Sequence, residues 1–279
     1  EYPLRVAPGV SALQIKAASA SKALEDAGLS WQDVDAVYDN GSHQNIGGLG
    51  ISEYLGLNPR LIDNTSVGGT SYEFQAHHAA TMIAAGKANV ALLTYGSTAH
   101  SDRRAIGTAG ATGQGSPTPF NNMEDPWGMT LISGYGMVKA RHMHQYGTTN
   151  EQFAEISVAT RYHAMRNPEA VEAMTALEFV GVNEITTQDV LDSRMIAWPL
   201  HLLECCMVSD GGGAVVIASK EIAKDCKKSP VWIIGGAEAT KYRENGGDIT
   251  VSAGGQSGPR AFEDAGVSPN EIDLLMAYD

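Results

Sequence analysis

Cysteine, positive charge and long apolar runs are all scarce in this sequence. Three cysteines among 279 residues, at positions 205, 206 and 226, give no disulfide framework and favour a reduced, cytoplasmic protein. Lys and Arg number 19 against 32 Asp and Glu, and the formal charge of -13 argues against binding to nucleic acid or to an anionic membrane surface. No apolar run reaches the roughly 18 residues of a membrane span. A ligand that carries phosphates would therefore need a local patch of positive charge.

Apolar residues, at 43%, and glycines, at 31, are plentiful, which predicts a sizeable core with many tight turns. Helical and strand-like patterns alternate along the chain, so the fold class is predicted to be α/β. The patterns predict helices over residues 10–27, 46–55, 71–85, 135–146, 150–165, 222–225 and 252–265. They predict strands over 34–38, 90–95, 213–218, 231–235 and 272–277. Asn150 is expected to cap the helix that it begins.

The stretch between Gly96 and Gly134 has no regular pattern. Its middle is rich in glycine and proline and cannot continue a helix or a central strand. It nevertheless carries Phe120, Trp127 and Met129, which are too apolar for a solvated tether. Loops of this length are usually functional, and we expect an ordered lid or a dimer arm.

A segment near the start of the chain is repeated near its end. The stretch ALEDAGLSWQDVD at 23–35 and the stretch AFEDAGVSPNEID at 261–273 are identical at seven of thirteen positions. Each copy is expected to form a helix, a glycine stop and an acidic turn, followed by a strand. We therefore predict an N-terminal half over 1–229, with a loop and helical insertion at about 97–200, and the incomplete start of a second half over 230–279. Roughly a hundred further residues would complete the duplicate.

Three motifs resemble those of the thiolase family. The stretch NTSVGGT at 64–70 opens a predicted helix and resembles the thiolase nucleophile turn, which reads Asn-x-x-Cys followed by small residues. The stretch ECCMVSDGGGA at 204–214 resembles the thiolase segment Cys-x-x-Ser-Asp-Gly-Ala-Ala, and HMHQYGT at 142–148 resembles a helix of the sterol-carrier-protein-linked branch. Together with the repeat, the motifs imply a thiolase fold, with duplicated βαβαβ halves in an α-β-α-β-α layering whose second half is truncated here. The resemblance covers essentially the whole chain.

The sequence departs from the thiolase pattern at two reacting positions. Val67 stands where the thiolase nucleophile Cys stands, and Ser66 lies one place too early to replace it. Tyr278 stands where the sterol-carrier branch has a His that helps to bind the thioester oxygen. Val and Tyr at these places resemble the lipid-transfer aldolases, which cleave a β-hydroxyacyl-CoA without a covalent step in steroid side-chain breakdown. That resemblance implies CoA as part of the substrate with no bound cofactor, a small OB-fold partner with a zinc ribbon, and a homodimer or higher oligomer.

The resemblance also assigns roles to the candidate site residues. Retro-aldol cleavage needs a base for the β-hydroxyl proton and an oxyanion site for the thioester enolate. Tyr278 is the candidate proton carrier, and the amides from Val67 through Gly68 to Gly69, at a helix start, are the candidate oxyanion donors. His43 follows the first-repeat strand and could enter the site from its loop, although a capping or surface role is the commoner one. The hydroxyls of residues 70 and 71 are expected to cap the helix.

Two other functions stay open on the sequence. One is an acyltransferase of the acetyl-CoA acetyltransferase type, with a nucleophile not yet located, and the other is a non-catalytic scaffold subunit with the thiolase fold. No metal site is expected, because His77–His78 and His142–His144 lack the spacing of three or four residues that places two ligands on one helical face. Cys206 is expected to be a small buried residue, and Asp210 to fix its glycine-rich turn through backbone hydrogen bonds.

Overall fold

A four-stranded sheet lies at the centre of the fold. The computed structural model describes residues 1–41, 47–104, 130–178, 181–241 and 247–277. Its sheet consists of β1 (Ala36–Tyr38), β2 (Leu61–Asp63), β3 (Val90–Thr98) and β6 (Asp210–Ala218), and a separate hairpin pairs β4 (Met195–Ala197) with β5 (Leu200–His201). β1 pairs in parallel with both β2 and β3, whereas β6 runs antiparallel to β3, so the strand order is β2-β1-β3-β6.

Helices alternate with these strands, which confirms the predicted α/β class. They are α1 (Ala12–Ala27), α2 (Gly48–Leu55), α3 (Ser71–Ala84), α4 (Leu131–Tyr146), α5 (Asn150–Ala164), α6 (Pro168–Leu177), α7 (Thr187–Asp192), α8 (Lys220–Ala223) and α9 (Gly254–Ala265). A capping box begins α1, because the Ser11 hydroxyl accepts from the Gln14 amide while the Gln14 side chain accepts from the Ser11 amide. Within the described ranges, none of the helices has the length and apolar character needed to cross a bilayer.

The central sheet is covered on both faces, because successive side chains of a strand point to opposite sides. On one face, Val37, Val90 and Leu92 pack against Ala20 and Leu24 of α1 and Ile51 of α2. On the other face, Ala36, Tyr38, Ala91 and Leu93 pack around Ala79 of α3. The nearly continuous apolar run of β3 is therefore a strand buried between two layers of helices, as its composition predicted.

Helix α1 packs closely against the sheet at two glycines. A Cβ on Gly96 of β3 would lie 2.5 Å from the carbonyl oxygen of Ala12, and a Cβ on Gly212 of β6 would lie 2.7 Å from Cγ2 of Ile15 in α1. The close approach brings Lys16 of α1 to Asp39, just after β1, and Nζ lies 2.7 Å from Oδ2 with both side chains fully buried. Since Thr94 Oγ1 also donates to Asp39, at 2.7 Å, the buried carboxylate is both paired and hydrogen-bonded.

The two copies of the sequence repeat have the same local structure. Helices α1 and α9 each end at a glycine in the left-handed region, Gly28 at φ 76° and Gly266 at φ 67°. A 3-10 turn follows each glycine, and both turns carry the same reciprocal capping contacts, between Ser30 and Asp33 and between Ser268 and Glu271. The copies differ in burial, since residues 12, 15, 16, 19, 20 and 24 of α1 are buried and no residue of α9 is.

Two predicted strands do not form in the described part of the chain. Segments 231–235 and 272–277 have no strand pairing, and their apolar side chains are exposed, Val231 to 96% and Leu275 to 79%. A strand needs a neighbouring backbone to accept and donate its hydrogen bonds, and the described residues bring none beside these segments. The prediction of strands at these two places is wrong for this structure.

Several element boundaries also differ from the predicted ones. β3 continues through Thr98, beyond the predicted end, because it pairs with β6 along its whole length, and for the same reason β6 begins at Asp210. Helix α4 begins at Leu131 rather than at residue 135. Thr149, not Asn150, caps α5, because the Thr149 hydroxyl accepts from the Gln152 amide. The sequence patterns did not predict α6 and α7.

Candidate active site

The turn over residues 64–70 lies at the carboxyl edge of the parallel strands. β2 ends at Asp63, the turn follows, and α3 begins at Ser71. Ligands of open α/β sheets bind at this edge. Asn64 fixes the start of the turn, because its Oδ1 accepts the amide proton of Gly48 in the first turn of α2, at an N···O distance of 2.6 Å. The turn is thereby held against the beginnings of two helices.

Ser71 closes this turn through both hydrogen-bonding functions of its hydroxyl. The Val67 amide donates to Ser71 Oγ at 2.9 Å, and the hydroxyl in turn donates to the Gly68 carbonyl oxygen at 2.5 Å. Ser71 is fully buried, whereas Val67 is 45% exposed. The predicted capping role holds for position only: Thr70 is the N-cap of α3, but its side chain makes no capping hydrogen bond.

Two of the three predicted oxyanion donors make no amide hydrogen bond within the described ranges. The Val67 amide is engaged by Ser71, which corrects the prediction for that donor. The amides of Gly68 and Gly69 have no acceptor among the residues that the structure describes. Gly68 has a φ of +86°, which side-chain-bearing residues rarely adopt, and no atom lies within 4 Å of where its Cβ would be. A ligand can therefore reach the backbone here.

Behind the turn, two adjacent histidines of α3 meet carboxylates from two distant parts of the chain. His78 Nδ1 lies 2.7 Å from Asp63 Oδ2, and His78 Nε2 lies 2.9 Å from Glu238 Oε1. His77 Nδ1 lies 3.0 Å from the same Glu238 oxygen. Asp63 also accepts the amide and hydroxyl protons of Thr65, each at 2.7 Å. The contacts link the end of β2, the turn, α3 and the segment 230–241.

The ionisable groups of this cluster have shifted pKa values. Burial would raise the pKa of Asp63, but hydrogen bonds from Thr65 and His78 outweigh it and hold the pKa below its usual value. Partial burial would lower the pKa of His78, but the hydrogen bond to Asp63 and the charge of Glu238 raise it above the ordinary imidazole value. Both shifts favour an ionised carboxylate beside a protonated imidazole.

A cationic cleft opens where the chain leaves β3. It has a volume of about 430 Å³ and is lined by Val6, Pro8, His100, Ser101, Arg103, Arg104 and Val208. Arg103 has a φ of 54°, an uncommon conformation for a residue other than glycine. The Nδ1 atom of His100 is buried without a hydrogen-bond partner among the described residues. The lining brings the guanidinium groups of Arg103 and Arg104 together, and Arg104 Nη2 also lies 3.6 Å from Asp102 Oδ2.

Asp210 ties together the segments around this cleft. Its carboxylate accepts from the Ala7 amide at 2.8 Å and from the Ser101 amide and hydroxyl at 3.0 and 2.6 Å. Burial would raise the pKa of Asp210, but these hydrogen bonds outweigh it and hold the pKa below its usual value. The prediction that Asp210 fixes its own glycine-rich turn is wrong, because its hydrogen bonds come from the segments at Ala7 and Ser101 and residues 210–218 form the strand β6.

Two adjacent cysteines lie before β6. Cys206 is exposed, so the prediction that it is buried is wrong; it lies in the irregular segment between a 3-10 turn and β6. Cys205 is half-buried, and burial, followed by the neighbouring Cys206 and Glu204, raises its pKa. A raised pKa favours the neutral thiol, which is a poor nucleophile.

The structure brings the predicted residues Val67, Gly68 and Gly69 together in one turn. The other two predicted site residues, His43 and Tyr278, lie outside the described residues, as does most of the predicted lid, residues 105–129. The described ranges contain no group of three or more His, Cys, Asp or Glu arranged to hold a metal ion.

Sequence reasoning missed the carboxylate contacts of α3. It weighed His77–His78 only as metal ligands, and the carboxylate partners of His78 stand 15 and 160 positions away in the sequence. The only local signal was an acidic residue at the end of a strand, immediately before the turn.

Comparison with known proteins gives clear relatives, although no model of a known protein family matches the sequence. A steroid side-chain-cleaving aldolase of Thermomonospora curvata is 31% identical over 286 residues, covering 97% of this chain and 70% of that protein. An acetyl-CoA acetyltransferase of Methanothermobacter thermautotrophicus is 30% identical over 273 residues, covering 92% of this chain and 66% of that protein. The chain thus spans about two-thirds of the length of these relatives.

Solved structures share the fold. An Ltp2-ChsH2(DUF35) aldolase superposes with a TM-score of 0.78 at 28% identity, over 95% of this chain and 67% of that one. A monomeric SCP2-thiolase like protein type 1 of Mycobacterium smegmatis superposes with a TM-score of 0.68 at 19% identity, over 97% of this chain and 57% of that one, a likeness of fold alone. The sheet and its two helical layers are therefore an architecture that these proteins have in common.

Proposed function

The chain belongs to the thiolase superfamily, in the branch of the sterol-carrier-protein-linked thiolases and the lipid-transfer aldolases, and we propose that it cleaves or forms a carbon–carbon bond in an acyl-CoA thioester without a covalent intermediate. The specific reaction that we propose is retro-aldol cleavage of a β-hydroxyacyl-CoA in lipid or steroid side-chain catabolism. CoA takes part as a portion of the substrate, and no bound cofactor is invoked.

The observation that carries this proposal is the chemistry of the turn at residues 64–70. The position at which a thiolase has its nucleophile holds Val67, whose side chain cannot form an acyl-enzyme. The hydroxyl of Ser71, which contacts the Val67 amide, is buried and uses its donor and its acceptor within the turn itself. What the turn does offer a substrate is the pair of amides at Gly68 and Gly69, which suits a reaction that needs an oxyanion site and no nucleophile.

The proposed cleavage follows from these groups. A base removes the proton of the β-hydroxyl, the bond between the α- and β-carbons breaks, and its electron pair moves into the thioester enolate. The Gly68 and Gly69 amides hold the enolate oxygen, and the α-carbon then takes up a proton, which leaves an acyl-CoA and a ketone or aldehyde. We assign the proton transfer to Tyr278 and retain His43 as a second candidate.

The cationic cleft gives the anionic part of CoA a place to bind in this proposal. Phosphates need positive charge, which is scarce on this chain, and the cleft concentrates Arg103, Arg104 and His100 beyond the end of β3. Tyr72, in the first turn of α3, packs edge-on against Tyr95 of β3 with ring centroids 5.3 Å apart, so the helix that follows the turn lies beside the strand that leads to the cleft. The variant Arg103→Gln should therefore raise KM for an acyl-CoA more than it changes kcat, whereas Arg60→Gln, on another loop, should change neither.

Assembly and location complete the proposal. A related aldolase has been solved together with a DUF35 partner, and we propose that this chain likewise binds a small partner of the OB-fold and zinc-ribbon type and forms at least a dimer. The cysteines 205, 206 and 226 are all free in the structure, which supports a reduced cytoplasmic compartment.

A comparison of two substrates tests the reaction. The full-length protein is incubated with a β-hydroxyacyl-CoA or with the matched β-ketoacyl-CoA plus CoA, and both the products and the intact protein mass are followed by mass spectrometry. We expect cleavage of the hydroxy compound only, with no change in protein mass. A stable acyl adduct that maps to Ser66, Thr70 or Cys206 would refute the non-covalent route.

The role of Tyr278 is tested by Tyr278→Phe, which removes the hydroxyl and keeps the ring. Turnover should fall on the order of a hundredfold or more, the usual scale for a general acid–base group, with little change in melting temperature. Tyr54→Phe, at an exposed position on α2, is the matched control and should leave turnover unchanged. If Tyr278→Phe lowers the melting temperature while turnover stays within about twofold, the residue is structural.

An acyltransferase remains the second candidate, because one relative at 30% identity is named an acetyl-CoA acetyltransferase. It requires a nucleophile other than the residue at position 67, which is Val67. A burst of CoA release on mixing with acetoacetyl-CoA would favour it. No activity on either substrate, together with tight binding of the partner, would favour a scaffold subunit.

A further inference from the structure

His78 has a carboxylate oxygen at each of its ring nitrogens. Asp63 lies 2.7 Å from Nδ1 and Glu238 lies 2.9 Å from Nε2. A neutral imidazole carries one N–H and can donate to only one of them, whereas an imidazolium donates to both. An ionised carboxylate only accepts, so the two contacts are satisfied together only when His78 is protonated.

Each carboxylate is attached to a different part of the candidate site. Asp63 accepts a hydrogen bond from the Thr65 hydroxyl, and the Thr65 carbonyl oxygen accepts from Gln75 Nε2 at 3.0 Å. The contact of His78 with Asp63 therefore reaches the turn at 64–70. Glu238 belongs to the segment 230–241, which runs so close to α3 that a Cβ on Gly236 would lie 2.8 Å from the ring of His77. His78 is thus the link between the turn and a segment 160 positions away from it.

We propose that His78 is a positioning residue. While it is protonated it connects the turn 64–70 to the segment 230–241 through Asp63 and Glu238, and it releases this connection when it loses its proton. We call the three residues Asp63, His78 and Glu238 the clamp. The consequence for catalysis rests on the proposed function, in which the turn binds the enolate oxygen. The tie itself does not depend on that function.

Groups on four elements face the clamp and set the pH window in which it holds. They are Asp63 at the end of β2, Glu238 in the segment 230–241, His77 on α3 and Tyr38 on β1. Burial, followed by the charge of Asp63, raises the pKa of Tyr38 to about 12, so this phenol stays neutral and does not compete for the proton. His78 then lies between the two carboxylates, and the His77 ring shares the Glu238 oxygen with it.

The shifted pKa values of His78 and Asp63 set the upper and the lower limit of the pH range in which the clamp holds. The pKa of His78 is raised by folding, so its stabilising contribution is complete below the ordinary imidazole pKa and is lost as the pH rises through the raised value. The pKa of Asp63 is lowered by folding, so its contribution is complete above the ordinary carboxyl pKa and is lost as the pH falls through the lowered value. The clamp is closed between these limits.

Two measurements on the full-length protein without substrate test the clamp. NMR of ¹³C-labelled histidine gives the pKa of His78, and hydrogen exchange read by mass spectrometry gives the protection of the turn 64–70 and of the segment 230–241. We expect His78 to titrate above the ordinary imidazole range. Both regions should exchange about two- to fivefold faster once His78 is deprotonated, after correction for intrinsic rates.

Glu238→Gln separates a clamp from a local contact. The variant should lower the pKa of His78, speed exchange in the turn that Glu238 does not touch, and remove the pH step. The matched control is Asp264→Asn, which weakens the contact between Asp264 Oδ2 and the Gly236 amide (3.0 Å) in the same segment, and should leave both the His78 pKa and the exchange of the turn unchanged. If His78 titrates at or below the ordinary value, or if Glu238→Gln leaves the turn unaffected, the proposal is wrong.

The catalytic consequence has a separate readout. In a protein that cleaves its substrate, Glu238→Gln should lower kcat and move the alkaline limb of the pH profile to lower pH, with little change in melting temperature. If no substrate is cleaved, the proposed function fails, yet the exchange and NMR results still decide whether the clamp exists.

Discussion

Helices α1 and α9 carry the same repeated motif. The two copies make the same short-range capping contacts, but they differ in strand pairing and burial, which depend on distant residues. Both helices end at a left-handed glycine, and both are followed by a 3-10 turn with a Ser–acid capping pair. After the first turn the chain enters β1, which is buried between β2 and β3. After the second turn, segment 272–277 has no strand partner among the described residues and its side chains are exposed.

The difference shows which features of a motif are local. A cap and a glycine stop are made from hydrogen bonds within a few residues, so the same residues form the same helix end and turn in both copies. A strand and a buried helical face depend on residues far away in the sequence, so they form only where those residues are present. The variants that follow separate the two kinds of contribution.

The largest difference between the copies should come from the buried ion pair of the first. Asp39→Asn leaves the Lys16 ammonium fully buried without its charged partner and should lower the free energy of unfolding by about 3–5 kcal/mol. Asp264→Asn, at an exposed acid of the second copy, should change it by about 0.5 kcal/mol or less. Urea unfolding measures both. Equal effects of the two variants would mean that the first copy is not held by its buried charges.

A smaller difference is expected at equivalent apolar positions of the repeat. Leu24 and Phe262 align, but Leu24 is buried in the core and Phe262 is only half-buried. Leu24→Ala should cost about 2–4 kcal/mol because it leaves a cavity, and Phe262→Ala about 1 kcal/mol because its site is open to solvent. The two variants are compared by thermal unfolding under identical conditions. A cost at Phe262 that matches the cost at Leu24 would show that α9 is as well packed as α1.

The two capping turns should respond alike when the serine of each turn is replaced. Hydrogen bonds from the hydroxyl and amide of Ser30 lower the pKa of Asp33, and those from the amide and hydroxyl of Ser268 lower the pKa of Glu271. Each contact therefore holds above the ordinary carboxyl pKa and is lost as the pH falls through the lowered value. Ser30→Ala and Ser268→Ala should raise the pKa of the paired acid in both copies, as read by carboxyl NMR titration. A shift in only one copy would break the local equivalence.

Much of the fold could be predicted because its signals are local. Gly28 marks the end of α1, and the apolar run from Val90 marks a strand covered on both faces. Competition between neighbouring cap residues is harder to predict, which is why Thr149 and not Asn150 caps α5. The failure at 231–235 has a different cause, since an apolar pattern shows that a segment suits a sheet and says nothing about whether a partner strand lies beside it.

The candidate site likewise has features that could be predicted from the sequence and features that could not. The turn at Val67, Gly68 and Gly69 could be predicted from its motif, because a strand end, a glycine pair and a helix start follow one another in the sequence. The engagement of the Val67 amide by Ser71 depends on the rotamer of one hydroxyl, which the sequence does not specify. The clamp at His78 joins residues from three parts of the chain, so only the folded structure reveals it.

The contact of α1 with the sheet also limits how this part of the molecule can be reused. A methyl group on Gly96 would push against the Ala12 carbonyl, and Lys16 stands one helical turn further along the same helix. Transplanting α1 onto another scaffold, or replacing it by a designed helix, would therefore require that Gly96, Gly212 and Asp39 be carried along with it. The helix, the two glycines and the acid are a single exchangeable module, although they come from four separate stretches of the sequence.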